Sequence, residues 1–494
     1  MNSKNAEAVG ESRHFIDGDW VESVDGKSGQ SIDPSNGEVI GAFAVAGVAE
    51  ADAAIAAAVR AFRNPRWSQS PRTRQAVMLR WADRIESRAE ELARLISVEN
   101  GRAIRQARLE IGGAVSELRY YAGLARHIPG HVVESEPGVF STILREPLGV
   151  AGIIVPWNAP VGLLVRSLAP AMAAGCASVI KPAPQTTIIT ARVLELLSAD
   201  SEMQKGAVNM VGEVGHEVAK RLVSSGGVDV LSFTGSSVMG QQIMADASST
   251  MKRLSLELGG KSCCLVFEDV DITVAAPKLA AAATVLSGQQ CTTARRILVH
   301  RSRVEEMKHS LAAALKALVI GPGLEETTDV GPMVDAAAQN RVGAMIERAC
   351  DEADEVLLRG GKVTDGRLEK GCFQAPTLVA HGDSGAFFCQ EEIFGPFAVI
   401  EAFDTESEAI ALANHTVYGL SGSVWTHDGD RAMRVARALR NGTVWINDHN
   451  RLFPEAETGG YRHSGLGRLH GYEALADFTT LKHVYQDVGV AVHG

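Results

Sequence analysis

At 494 residues the chain is too long for a single hydrophobic core, so two or three domains are expected. An apolar fraction of 46% with 22% charged residues is that of a soluble globular protein, and 49 glycines against 5% aromatics suit an α/β chain with many tight strand–helix turns better than an all-β sandwich. A net charge of −11 without a basic block argues against nucleic-acid binding, and seven cysteines without CxxC pairs argue against a disulfide scaffold or a structural zinc site.

Taken in order, Met1 to Asp17 is polar and lacks an apolar signal core. Residues 13–45 read as short strands with turns at Asp17-Gly18, Asp25-Gly26 and Asn36-Gly37. A helix from Glu50 to Phe62 is expected, then amphipathic helices over 71–88, 89–97 and 103–126. Residues 128–147 read as an extended arm. The longest uncharged run, Pro147 to Val165, approaches a membrane-spanning length, but Pro147, Pro156, Pro160 and Asn158 would break such a helix. It reads as a buried strand and turn. No membrane segment is expected, and reduced thiols point to the cytoplasm.

Strands and helices then alternate. Strands are expected at Val150 to Val155, Ala177 to Lys181, Val208 to Val211, Val228 to Phe233 and Leu254 to Leu258. Helices fill 161–174, 186–198, 214–224 and 236–248 between them. This spacing predicts a doubly wound parallel sheet, with a ligand crevice at the carboxyl ends of the strands. Asn158, Lys181, Gly212 and Gly235 fall at such ends. A second α/β unit is expected to about 455, with strands near 263–267, 296–300, 397–401 and 443–447. The tail ends in a helix, Ala474 to Phe478, and a strand, Leu481 to Val488. That strand and the arm at 128–147 would be exposed edges, so both are expected to pair with another subunit.

Three stretches carry chemistry. Cys291 lies in Ser287-Gly-Gln-Gln-Cys-Thr-Thr293, between a helical run and the strand beginning at Arg296. A thiol attacks as the thiolate, so it needs a lowered pKa or a nearby base. Arg295 and Arg296 would lower that pKa if they faced the thiol, or would be solvated. Phe233-Thr-Gly-Ser-Ser-Val-Met-Gly240 follows a strand and opens a helix, a place where free N–H groups bind phosphate. No GxGxxG fingerprint follows any strand. Glu257 ends an apolar strand, where desolvation would raise its pKa towards that of a general base; pairing with Lys261 is the structural alternative. His14, His449, His463 and His470 show no metal spacing, so no metal is proposed.

These pieces, with Pro156-Trp157-Asn158, Lys181-Pro182, Glu257-Leu-Gly-Gly-Lys261, Glu391-Glu-Ile-Phe-Gly-Pro396, Tyr418-Gly-Leu420 and Ser464-Gly-Leu-Gly-Arg468, resemble the aldehyde dehydrogenase superfamily in kind and in order. Cys291 follows Glu257 by 34 residues, as in that family. The resemblance covers essentially the whole chain. It implies an α/β fold in three parts: an NAD(P)-binding domain over 1–127 and 148–257, a catalytic domain over 258–460, and a bridging, oligomerising arm and tail over 128–147 and 470–494. It further implies oxidation of an aldehyde to the carboxylic acid. Cys291 forms a thiohemiacetal and then a thioester, Asn158 and the Cys291 N–H hold the oxyanion, and Glu257 activates the hydrolytic water. Trp157, Lys181, Pro184, Gly215, Gly235, Ser236, Leu258, Glu392 and Phe394 match cofactor positions. Retention of Glu257 indicates the hydrolytic rather than the coenzyme A-acylating type. A homodimer or homotetramer is implied.

The chain departs from the family at two places. Where a glutamate often bonds the adenosine ribose, this chain has Pro184, which admits NADP although NAD is expected to be preferred. Around the substrate, Ala159, Arg166 and Thr458 replace positions that are often aromatic, and Leu163, Gln290 and Thr292 complete the expected lining. An arginine there would pair with a substrate carboxylate, making a semialdehyde dehydrogenase the alternative within enzymes; otherwise it pairs with the protein's own acids. A non-catalytic binding or structural protein is the alternative of another class, and esterase action is expected only as a side activity.

Overall fold

In the computed structural model, residues 10–364 and 366–491 are described. The first residues of the polar N-terminus and the last three of the tail lie outside them. The larger sheet has eight strands. Its parallel centre runs, across the sheet, Val208–Met210, Ala177–Lys181, Val150–Ile154, Val230–Thr234 and Arg253–Glu257. In chain order the third, second, first, fourth and fifth strands therefore lie side by side. The winding reverses between Val150–Ile154 and Val230–Thr234, the topological switch point where doubly wound sheets bind ligands. Short antiparallel strands, His14–Ile16 with Asp19–Val21 and Gly465–Leu466, close the two edges.

The central strands are near-continuous apolar runs because both faces are covered. Val150–Ile154 and Ala177–Lys181 are buried at every residue. The helix Val48–Arg63 presents Ala51, Ala54, Ala57, Ala58 and Ala61 inward, small side chains that let it lie close against Ala177–Lys181. Pro160–Ala174 packs against Ile104–Leu124.

The second sheet has seven strands, ordered Glu355–Leu358, Thr377–Ala380, Phe397–Phe403, Arg296–His300, Cys263–Val266, Ser421–Trp425 and Thr443–Ile446. Three of these were not anticipated: Glu355–Leu358, Thr377–Ala380 and Ser421–Trp425. The last hides a central strand in the run Ser-Gly-Ser-Val-Trp. Its hydroxyls find buried partners, Ser421 with Ser262 and Ser423 with Trp425 Nε1, so polar residues are tolerated inside.

The arm and the tail differ from expectation. His131–Glu136 and Val139–Pro147 form a hairpin, and the terminal strand Thr479–Asp487 pairs antiparallel with Val139–Pro147 along its whole length. Each thus covers one edge of the other before any second subunit is involved. Exposed Val132, Val133, Leu481 and Tyr485 remain on this small sheet. Among the described residues no helix is long and apolar enough to cross a membrane.

Candidate active site

The switch point delivers two loops to one place. After Val150–Ile154 comes Val155-Pro-Trp-Asn158, and after Val230–Thr234 comes Gly235-Ser236. The Gly235 N–H donates to the Glu257 carbonyl at 3.0 Å, tying the glycine turn to the end of the neighbouring strand. Glu257 is 5% exposed, and its Oε1 has no hydrogen-bond partner. Burial pushes its pKa up to about 7, against the opposing pull of Arg166 and Arg468. The alternative pairing with Lys261 is absent: that ammonium donates to the Glu391 carbonyl at 2.7 Å, and its own burial lowers its pKa to about 7.

Cys291 sits in a strained connection. The helix Ile272–Thr284 ends, and beyond it Leu286 and Ser287 both take left-handed backbone with φ of 50° and 57°. Gln106 Oε1 accepts the Leu286 N–H, and Ser287 Oγ donates to the Gly331 carbonyl. Gly288 follows at φ 75°, where a Cβ would lie 2.0 Å from the Gly395 carbonyl oxygen, so only glycine fits. Gln289 then anchors the loop through Nε2 to the Leu286 and Pro332 carbonyls. The result is a partly exposed residue whose thiol is recessed. Burial raises its pKa to about 11, with Arg166 the strongest opposing charge and Glu257 reinforcing the rise. At rest the group is a thiol, and a base must take its proton.

Arg295 and Arg296 are both fully buried, so neither is solvated, and the Arg295 charge is among those that oppose the rise in the Cys291 pKa. Arg296 forms a two-point pair with Glu401 at 2.6 and 2.7 Å. Arg295 donates to the Gly288, Gln290 and Ile393 carbonyls and to Glu392. Arg295 thus braces the backbone just before Cys291, although its Nε has no partner among the described residues.

Asn158 is held from behind. Its Nδ2 donates to the Gln289 carbonyl at 2.9 Å, placing the amide beside the Cys291 loop with a second N–H to spare. Arg102 donates to the Asn158 carbonyl at 2.6 Å and is paired with Glu110. Glu110 in turn accepts the Val161 and Gly162 N–H groups at the start of Pro160–Ala174. Arg166 lies one and a half turns along that helix. It is 7% exposed, and its Nε and Nη2 find no partner among the described residues. Its charge acts on Glu257, but among the described residues no acid forms a hydrogen-bonded pair with it.

The remaining lining divides. Thr292 Oγ1 donates to Asn450 Oδ1 at 2.5 Å and accepts from Gln290 Nε2 at 2.8 Å. Asn450, at φ 61°, keeps a buried Nδ2 without a partner. His449 is buried and neutral, its pKa lowered to about 4 by desolvation, and its Nε2 lies 2.7 Å from the Thr292 carbonyl. Ala159 precedes Pro160–Ala174, and Leu163 packs on the main core. Thr458 pairs with Leu469 through its backbone and its hydroxyl, so that hydroxyl is spent within the protein.

A second group of residues marks a dinucleotide groove. Ser236 caps Ser237–Ala247 by accepting the Met239 N–H, which leaves the Ser237 and Val238 N–H groups at an open helix end suited to a pyrophosphate. Leu258 packs over Gly240, where a Cβ would meet it at 2.6 Å. Gly215 is exposed in the turn before Glu217–Ser224, and Pro184 opens a single 3₁₀ turn. Glu392 accepts from the Gly260 N–H and from Arg295, and burial raises its pKa. Phe394 meets Trp157 edge-on at 5.8 Å. Lys181 ends its strand 3.6 Å from Glu213. The donors, the open helix end and the glycine approach fit a dinucleotide. Sequence reasoning missed Arg102, Glu110 and Glu213, whose partners are distant in the chain and carry no motif.

The aldehyde dehydrogenase family model matches residues 20–484. Betaine aldehyde dehydrogenase of Bacillus subtilis is 37% identical over 475 residues, covering 96% of this chain and 97% of the relative. Mitochondrial succinate-semialdehyde dehydrogenase of rice is 34% identical, covering 98% and 91% respectively. The crystal structure of Staphylococcus aureus betaine aldehyde dehydrogenase in complex with NAD+ superposes with a TM-score of 0.94 at 35% identity, covering 97% of this chain and 96% of that one.

Proposed function

The chain belongs to the aldehyde dehydrogenase family and oxidises an aldehyde to its carboxylic acid with NAD(P), and we propose that its own substrate carries an anionic tail, as a semialdehyde does. One observation carries this reading: the Arg166 guanidinium beside Cys291 and Glu257 is buried with two donor nitrogens unpartnered. A buried unpaired charge is costly, and a carboxylate would satisfy it through paired, charge-assisted hydrogen bonds. Of the relatives, one is named for succinate semialdehyde, an anion, and one for betaine aldehyde, a quaternary ammonium. An orphan guanidinium favours the anion and repels the cation.

The chemistry follows from the groups present. The Cys291 thiol gives up its proton as sulfur bonds the aldehyde carbon, and Glu257, with its pKa near 7, is the acceptor within electrostatic reach. The free N–H of Asn158 Nδ2 and the Cys291 N–H stabilise the oxyanion of the thiohemiacetal. When bound, the nicotinamide accepts the hydride from that carbon, which leaves a thioester on Cys291. Once the first proton has passed to solvent, Glu257 takes a proton from the water that hydrolyses the thioester and returns it to the departing Cys291 sulfur, releasing the acid and restoring the thiol. Trp157, Lys181, Gly235, Ser236, Leu258, Glu392 and Phe394 would hold the cofactor. Residues 1–127 and 148–257 would form its domain, and 258–460 the catalytic one. The outer edges of the arm-and-tail sheet would join subunits in a homodimer or homotetramer. Seven free cysteines support a reducing, cytoplasmic setting.

Arg166→Met tests the substrate class. Losing charge-assisted hydrogen bonds worth about 1.5–3 kcal/mol should raise KM for a four-carbon semialdehyde roughly 10–100-fold over any rise for an uncharged aldehyde of equal length. The ratio of the two substrates cancels any effect of the lost charge on Glu257. Equal losses on both would sink the reading.

A further inference from the structure

Lys181 and Glu213 stand at the carboxyl ends of adjacent parallel strands, Ala177–Lys181 and Val208–Met210. In doubly wound sheets this is where the adenosine ribose lies, and the charge at a strand end selects the dinucleotide: an acid suits the free ribose hydroxyls, a cation the 2′-phosphate. Pro184 supplies neither. Lys181 would be the cation, but its ammonium lies 3.6 Å from Glu213 Oε1, and the two residues are 8% and 1% exposed. The same carboxylate accepts the Val218 N–H at 2.8 Å and the Ala219 N–H at 3.2 Å. It therefore occupies the first turn of Glu217–Ser224, whose N–H groups would otherwise attract an anion.

We propose that Glu213 restricts this enzyme to NAD, by taking up the Lys181 charge and the neighbouring helix N-terminus that a 2′-phosphate would need. One buried carboxylate satisfies both donors, so the site stays neutral towards the ribose and offers a 2′-phosphate no unspent positive charge. A dianionic phosphate entering here would also face Glu213 itself in a desolvated setting. The proposal rests on the cofactor placement given above and is independent of the anionic-substrate reading.

Calorimetric titration of NAD+ and NADP+ without any aldehyde tests it. The wild-type protein should bind NAD+ at least about tenfold tighter than NADP+. Glu213→Gln keeps an oxygen for the Val218 and Ala219 N–H groups and removes the charge. It should tighten NADP+ by about tenfold while NAD+ changes by less than about threefold. Adding Lys181→Met to Glu213→Gln should abolish that gain, because the unmasked ammonium is what would hold the 2′-phosphate; Glu213→Ser is the neutral replacement if Glu213→Gln does not fold. Equal wild-type affinities, an unchanged ratio in Glu213→Gln, or a gain in NADP+ that survives Lys181→Met would each overturn the assignment. Failure to bind either dinucleotide would overturn the cofactor placement beneath it, whereas a failed semialdehyde assay would leave both standing.

Discussion

Glu257→Gln removes the base from both halves of the reaction and reports on the electrostatics of the site at once. Burial lifts this carboxyl from an ordinary 4.5 to about 7, so ionising it in the folded protein costs about 3 kcal/mol. The folded state holds the proton more tightly than the unfolded state. The favourable contribution is therefore complete below about pH 4.5 and lost as pH rises through about 7. Glutamine carries no such cost, so the variant should melt at a higher temperature than the wild type above pH 7, with the gap closing towards pH 5. Its chemistry should slow in both halves, because Glu257 takes the thiol proton before it takes one from water. Stopped-flow mixing with cofactor and aldehyde should show the first equivalent of reduced cofactor per site forming more slowly than in the wild type, and steady-state turnover slowed roughly 10²–10⁴-fold. In the wild type, the deacylation rate at pH 6 should be about a tenth of its alkaline plateau, because only that fraction of the base is ionised. A pH limb centred near 4.5, a variant that melts lower than the wild type at pH 8, or undiminished steady-state turnover would refute the reasoning.

Two further outcomes follow from the residues around Asn158. Asn158→Ala removes the spare side-chain N–H and should lower kcat by roughly 10²–10³ with little change in KM, as measured by steady-state kinetics. Glu110→Gln leaves Arg102 buried without its counter-charge, and urea unfolding should show a loss of about 3–5 kcal/mol; Arg102→Met with Glu110→Gln should recover much of it.

The parallel sheet was legible because strands buried on both faces need near-continuous apolar runs, and Val150–Ile154 is such a run. Ser421–Trp425 was not, because its serines are tolerated only through buried partners, Ser262 for Ser421 and Trp425 Nε1 for Ser423, that form once the chain has folded. The winding order that creates the switch point needed no GxGxxG fingerprint, since connection lengths and helix packing produce it. Arg166 illustrates the boundary within one residue. Its identity and its place eight residues after Asn158 are plain in the sequence, but that no acid among the described residues hydrogen-bonds its Nε and Nη2 is a property of everything packed around it.

What the sequence by itself determined are the features built from neighbours in the chain: the alternation of strands and helices, the glycine turns, and the ordered motifs around Cys291, Glu257 and Asn158 that place the chain in its family. What only the tertiary structure decided are the states of charged groups, which depend on desolvation and on distant partners. Arg295 and Arg296 became buried cations rather than solvated ones, and Arg295 acts on the Cys291 thiol. Glu257 was left unpartnered, Lys181 was matched by Glu213, and the arm found the tail. A charge is a local fact of sequence, whereas its energy is set by the dielectric and the counter-charges around it, and those are assembled only when the chain folds.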